Sequence, residues 1–389
     1  MKKFKFMILA LGTSLTLALA AERFVDIDGI GTQKFPVSIN VSSSAFAKCL
    51  AKNLELSGLF QIQNDASIKV TGSVGAIRAE GRGKVVSCSE AFADDASARM
   101  AARRFSDAMT AAFSNNAQAG FACDRIVFLK RGRTLSHNGT LPSELCLTYP
   151  DGLDIRSLTS DNRMTIFPRW KDRSTIYYIS DKNGAPQIWQ LDIATGKRSV
   201  KWSFKGSPTG IAVSPDGSRL AAVLSFQGNP ELYVIDMLSG KWTRLTNIPL
   251  ASEGQPTWSP DGRKIAYVSN ETRTPQIYVV DVATKAKRRL TSRGRENVGP
   301  DWGADGNIAY ITKRGGAQIA VMSPAEGDAT SRIVTEEATW EHPSWSKDHR
   351  HLTANRDGAL FSVDTLEDGD KPKQLFFANG NWVSPTWSR

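Results

Sequence analysis

The chain has 389 residues, 41% of them hydrophobic and 23% charged, with a formal charge of +10, which leaves room for two domains with cores of their own. Its basic excess would suit nucleic acid or an anionic surface. The basic residues are dispersed through polar turns (285–289, 293–295) with no aromatic binding face, so the composition reads as a solvated surface and excludes a nucleic-acid partner.

Lys2, Lys3 and Lys5 precede an apolar run at 6–19 that ends in Ala18-Leu19-Ala20. A basic head, a short apolar stretch and small residues describe a secretory signal peptide, here 1–20, with cleavage near Ala20. The run is too short to span a membrane comfortably, and no second run of spanning length follows. The mature chain is therefore expected to be exported and soluble. Losing the three signal lysines lowers its charge from +10 to +7.

Cys49, Cys88, Cys123 and Cys146 all precede residue 150, and all ten tryptophans follow residue 160. That split predicts an α/β domain at 21–118 and a different, all-β domain at 119–389. Export and an even cysteine count suggest disulfides, with three pairings open. Cys49 with Cys88 is favoured, since it would tie a helix to a strand. Without a Cys-x-x-Cys spacing or a nearby His, the cysteines are not expected to bind metal.

Residues 35–41 alternate like a strand. Ser42 to Ser44 then offer an N-cap for a helix carrying Phe46, Leu50 and Leu54 at helical spacing and stopping at Gly58. Strands are predicted at 59–62, 67–77 and 83–90. A second helix starts at Asp94 and Asp95, with Ala98, Ala102, Phe105 and Met109 on one face.

From residue 121 onward the pattern is all β. A phrase best seen as QPTWSPDGRKIAYVSN (255–270) returns every 42 to 45 residues, with anchors at Trp170, Val213, Trp258, Trp302, Trp345 and Trp387. Each period reads as an apolar strand ending at the anchor, a turn of the Ser-Pro-Asp-Gly kind, and three more strands. Four short strands with one large aromatic per period predict a β-propeller blade. Residues 121–133 and 143–159 lack an anchor phrase before them, while 381–389 has nothing after it. Joined, they complete a six-bladed ring without an exposed edge.

Candidate chemistry is sparse. Asp192, Asp236, Asp281 and Asp364 end third strands just before turns and read as turn-forming groups rather than a ring of acids. His342, His349 and His351 fall within one period. His349 and His351 alternate onto one strand face without a carboxylate partner, and His342 beside Pro343 is placed at the channel. No Gly-x-Ser-x-Gly phrase and no phosphate loop occur; 206–210 reads Gly-Ser-Pro-Thr-Gly. A prolyl peptidase would need a further hydrolase domain. The expectation is a non-enzyme without cofactor or metal. The alternative is an exported propeller enzyme, a metal-assisted polysaccharide lyase or hydrolase using the three histidines.

Taken together, the signal, the small α/β domain and the repeats with Pro-Thr-Trp-Ser-Pro-Asp-Gly and a terminal Ser-Pro-Thr-Trp-Ser resemble the TolB family of the bacterial Tol-Pal system. The stretch 54–60 (LELSGLF) is similar to that family's Leu-x-x-Ser-Gly-x-Phe at the end of its first helix, and 121–128 resembles its entry into the propeller; the resemblance covers 22–389. It implies a periplasmic scaffold supporting outer-membrane integrity, cell division and protein transport. The family's propeller binds the peptidoglycan-associated lipoprotein Pal over the channel mouth, which maps onto Phe167, Ser207, Gly210, Gly254, Gln255 and His342. Its N-terminal segment engages Tol inner-membrane proteins such as TolA, by analogy here through 22–33, with Glu22, Arg23, Phe24 and Val25 foremost. Glycine at 210 and 254 departs from the polar or bulkier residues the family can show.

Overall fold

The computed structural model describes residues 34–114, 120–135, 139–226, 228–366, 371–376 and 380–388. The expected signal peptide and the segment with Glu22, Arg23, Phe24 and Val25 lie outside them. Among the described residues no helix is long and apolar enough to cross a membrane.

The N-terminal region is a five-stranded sheet with two helices: β1 (Phe35–Val41), α1 (Ser44–Leu56), β2 (Phe60–Ile62), β3 (Ile68–Ser73), β4 (Ala76–Gly81), β5 (Lys84–Cys88) and α2 (Asp95–Ser114). The strand order is β2-β1-β3-β4-β5, with β1 parallel to both its neighbours and the rest antiparallel. The Ser43 hydroxyl caps α1 by accepting from the Phe46 N–H, and Gly58, at φ +69°, lies just beyond the Ser57 cap. Asp94 accepts from the Ser97 N–H at 2.8 Å and starts α2.

The strand expected at 67–77 is instead the hairpin of β3 and β4, which reverses at Val74-Gly75 with Gly75 at φ +82°. Apolar alternation hides the break, because buried Ile68 and Val70 face the same core as buried Ile77 and Ala79. β4 and β5 are joined through Arg82 and Gly83, both at positive φ, as a two-residue type I′ turn requires.

Six four-stranded antiparallel sheets follow. Blades 1 to 5 span 165–202, 207–244, 253–289, 296–333 and 341–374. In blade 6 the C-terminal strand Trp382–Trp387 lies innermost and pairs antiparallel with Ile126–Arg131, beyond which lie Ser143–Thr148 and Arg156–Ser157. The last strand thus closes the ring onto the first, and the fold is a six-bladed β-propeller after an α/β region.

The core lies between blades. Trp258 packs with Ile265 and Tyr267 of its own blade against Ala212, Val223 and Leu232 of blade 2, and Trp170, Val213, Trp302, Trp345 and Trp387 occupy equivalent layers. The Trp258 indole N–H donates to the Ala212 carbonyl at 3.0 Å, and that of Trp170 to the Thr386 carbonyl at 3.0 Å. Backbone N–H groups reach back the same way, Trp302 to Thr257 Oγ1 (3.1 Å) and Trp345 to Asp301 Oδ2 (2.8 Å).

The turns follow their chemistry. Gly262 takes φ +65° and donates to the Ser259 carbonyl, while Asp261 Oδ1 accepts from Ser259 Oγ (2.6 Å) and the Arg263 N–H (3.0 Å). Asp192, Asp236 and Asp281 each accept the N–H three residues on, at 2.7–2.9 Å. Asp364 differs, since it also pairs with Arg350. The sequence pattern missed one surface feature, an aromatic cluster at the outer edge of blade 2 where half-exposed Trp242 stacks on Phe226.

All four cysteines are free, so the favoured Cys49–Cys88 bridge does not form. Cys49 faces out of its helix toward the propeller, where its thiol donates to Asp151 Oδ2 at 3.3 Å, and burial pushes it far above the ordinary thiol range. Asp151 belongs to the blade 6 turn at 149–152. It is fully buried and receives Arg103 of α2 through Nε (2.7 Å) and Nη2 (3.0 Å), and Asn53 of α1 at 3.0 Å. The guanidinium also lies over the Tyr149 ring, 3.8 Å from its centre. This bidentate pair holds the α/β region to the ring. Arg103→Ala would strand Asp151 as a buried, unpaired carboxylate, so urea denaturation should show a loss of about 3–5 kcal/mol.

Candidate functional site at the channel mouth

The six inner strands line a central channel. Five of them carry an X-Pro dipeptide two to three residues before the anchor: Phe167-Pro168, Gln255-Pro256, Gly299-Pro300, His342-Pro343 and Ser384-Pro385. Proline has no N–H to give the ladder, and in all five strands the pairing skips this dipeptide as a β-bulge. The residue before each proline has left-handed φ: +51°, +46°, +62°, +51° and +53° in chain order. For Phe167, Gln255, His342 and Ser384 that conformation costs on the order of 1–2 kcal/mol each. Blade 2 is the exception. Ile211 stands where the proline would be, Gly210 has no positive φ, and the ladder shifts between Pro208 and Gly210 instead.

The bulges surround a narrow compartment of about 30 Å³, lined by Phe167, Gln255 and His342 together with Arg169, Gly299, Asp301 and Ser384. Ser207, Gly210 and Gly254 do not line it. Ser207 is exposed at the start of its strand. A Cβ on Gly210 would sit 3.2 Å from Pro256 Cδ, so this glycine lets blade 2 pack against blade 3, whereas a Cβ on Gly254 would meet open space. Gly299 and Ser384 escaped the sequence reading, although they hold the same place, three before the anchor, as Gln255 and His342.

His342 Nδ1 lies 3.2 Å from Asn355 Oδ1, Asn355 Nδ2 donates to Glu341 Oε2 at 3.0 Å, and the Ser384 N–H donates to Asn355 Oδ1 at 3.2 Å. Buried Asn355 therefore fastens blade 5 to blade 6 at the mouth. Its surroundings push the His342 imidazole below its ordinary range by desolvation, against the pull of Glu341, so the ring is neutral at pH 7. Gln255 Oε1 accepts from the Gly299 N–H at 2.7 Å and ties blade 3 to blade 4.

His342, His349 and His351 are not brought together as one centre. His342 faces the channel compartment, His349 ends the turn at 346–349, and His351 is paired through Nδ1 with Asp348 at 2.6 Å. Among the described residues no group of three His, Cys, Asp or Glu side chains is placed to hold a metal.

Comparison with known proteins agrees with this architecture. Residues 116–389 match the family model described as the TolB beta propeller domain. The chain belongs to the TolB β-propeller family. Two relatives named Tol-Pal system protein TolB are 27% identical over 131 residues (Gluconobacter oxydans) and 31% identical over 166 residues (Anaeromyxobacter dehalogenans). These matches cover 33% and 42% of this chain but only 28% and 36% of the relatives. The crystal structure of TolB from Acinetobacter baumannii superposes with a TM-score of 0.77 at 22% identity, over 92% of this chain and 97% of that one. A structure named putative TolB from Agrobacterium tumefaciens matches with a TM-score of 0.51 at 18% identity, over 68% of this chain and 92% of that one. These two structures share the fold.

Within this TolB-family ring, Glu253 opens the inner strand of blade 3 beside Gly254 and Gln255. Its carboxyl is buried, with Oε1 accepting from Ser269 Oγ at 3.3 Å and Oε2 unpartnered. Burial, aided by the charge of Glu231, pushes its pKa up to about 8. A carboxyl raised in the fold holds a proton that the unfolded chain releases above its ordinary value, so it costs stability increasingly from about pH 4.5 to 8. Glu253→Gln should be more stable than the parent at pH 8 by at least about 1.4 kcal/mol. The difference should vanish near pH 4 in paired thermal melts.

Proposed function

We propose that the protein is an exported, non-enzymatic scaffold of a Tol-Pal-type envelope system, working in the periplasm. The channel mouth receives a folded partner, a peptidoglycan-associated lipoprotein of the Pal kind. The segment with Glu22, Arg23, Phe24 and Val25 engages Tol inner-membrane proteins such as TolA. In this role the chain supports outer-membrane integrity and cell division. The observation that carries the reading is the set of left-handed X-Pro bulges, which bring residues of different chemistry around one opening at an energetic cost of their own. Family membership supports it, as do two relatives that carry the Tol-Pal name. The α/β region binds blade 6 at the turn following its third strand, which is the end opposite the mouth, so a partner at the mouth meets no obstruction from it.

Of the mapped residues, Phe167, Gln255 and His342 are the ones at the opening, while Ser207, Gly210 and Gly254 stand outside its lining. The purified chain should bind the lipid-free domain of the Pal-like lipoprotein from the same genome in calorimetry. Phe167→Ala and His342→Ala should each weaken binding by about tenfold or more. Binding unaffected by both substitutions would sink the mapped surface, and no binding at all would sink the partner. Removal of 22–25 should abolish capture of the TolA-like protein and leave the lipoprotein contact in place.

A further inference from the structure

The outer edge of blade 3 carries a run of cations that neither the channel nor the blade cores use. Lys285, Lys287, Arg288, Arg289, Arg293 and Arg295 are all exposed, within eleven residues of chain. The sequence pattern places 285–289 in a turn, but Lys287–Arg289 form the outermost strand of the blade. Three of the cations are therefore held in line along one edge.

A comparison of two blades shows how the strip keeps its charge. In blade 2 the last residue of the outer strand, Arg244, lies opposite Tyr233 and pairs with Glu231 at 2.8 Å. Arg289 holds the same place in blade 3, opposite Tyr278, and both arginines donate through Nε to the carbonyl two residues on, Thr246 or Thr291. The residue matching Glu231 is Gln276, whose Oε1 accepts from Thr291 Oγ1 and Asn297 Nδ2, each at 2.8 Å. The amide keeps the hydrogen bond from the threonine, which Glu231 also makes with Thr246, and omits the negative charge. Arg288 and Arg293 likewise donate to carbonyls, those of Pro324 and Ala329 in blade 4. A carbonyl orients a guanidinium without neutralising it and leaves most of its five N–H groups free. Among the described residues, only Lys287 of the six forms an ion pair, with Glu271.

The surroundings of the strip narrow the choice of partner. No large hydrophobic side chain is exposed at 271–316. Specific protein interfaces centre on a dry, largely apolar core, which this edge does not offer. A surface of many mobile phosphates suits it better, since the guanidinium fork matches phosphate oxygens and each cation adds attraction. Blunting the edge against stray strand pairing would need charge, but not one sign throughout. We propose that this edge holds the protein reversibly against an anionic phospholipid bilayer, through headgroup phosphates and without insertion. The strip lies on an outermost strand and the candidate partner surface on the innermost ones, so the proposal stands whether or not a lipoprotein binds at the mouth.

Co-sedimentation of the exported protein with lipid vesicles tests the assignment. It should bind vesicles of phosphatidylcholine with about 30% phosphatidylglycerol at about 50 mM salt, at least tenfold more weakly at about 300 mM, and should not bind phosphatidylcholine alone. Arg288→Gln, Arg289→Gln and Arg293→Gln combined should weaken binding at least tenfold. Lys201, Lys205 and Lys241 are exposed elsewhere, at blades 1 and 2, and changing all three to Gln removes the same charge. That variant should differ from the parent by less than about threefold. Gln276→Glu keeps every arginine, gives Arg289 the partner that Arg244 has, and should weaken binding about three- to fivefold. The proposal is overturned if the anionic vesicles do not bring the protein down, or if the lysine variant loses as much binding as the arginine variant, which would reduce the effect to net charge. Retention on immobilised poly-glutamate without binding to vesicles would also overturn it and assign the strip to an acidic protein.

Discussion

The antiparallel pairing of Trp382–Trp387 with Ile126–Arg131 is the constraint on which the rest of the molecule depends. Each core layer lies between two blades, so an open ring would leave the layer between blades 5 and 6 half exposed: Leu360, Leu375 and Phe376 on one side, Ile126, Phe128, Trp382 and Trp387 on the other. Closure also brings together groups far apart in the chain. Ser384 reaches Asn355 to complete the mouth, and Thr386 accepts the indole of Trp170, 216 residues away. The turn carrying Asp151 belongs to the same composite blade, so the seat of the α/β region depends on closure too.

Much of this was legible because the deciding forces are local. An even spacing of anchors, Ser-Pro-Asp-Gly turns and alternating apolar strands carry the propeller, and Trp258 lies between blades as the repeat implies. The half-phrase at 381–388, matched with the anchorless strands at 121–133 and 143–159, was enough to indicate closure. Other features depend on partners distant in sequence. Nothing near Asp151 announces Arg103, 48 residues earlier, and Cys49 was paired in expectation with a cysteine when its surroundings are a carboxylate and a guanidinium. The β3–β4 hairpin was lost because alternation carries through Gly75.

The channel mouth falls between these cases. Prolines before the anchors are visible in the sequence, but a skipped ladder and a left-handed preceding residue appear only when two strands are paired. Once they are, position within the repeat predicts lining better than residue type does. Gly299 and Ser384 line the compartment because of where they stand, and Ser207 and Gly254 do not for the same reason.

This division of labour within one short strand explains how a repeat can carry a specific surface. The residue before the anchor holds the next blade: Thr257, Asp301 and Ser344 accept the backbone N–H of Trp302, Trp345 and Trp387. A hydrogen-bond acceptor is required at those places, and Thr, Asp and Ser are what stand there. Three residues before the anchor, the bulge has already removed the chain from the ladder, so the side chain carries no duty in strand pairing. Phe, Gln, Gly, His and Ser all occur there. The same reasoning applies at the far end, where a turn that asks for glycine holds His349 instead. In both places the backbone geometry recurs in most of the blades while the side chain differs from blade to blade. Chemistry that differs from blade to blade therefore resides in residues that strand pairing leaves free, even where, as with Gln255, the side chain also reaches the next blade.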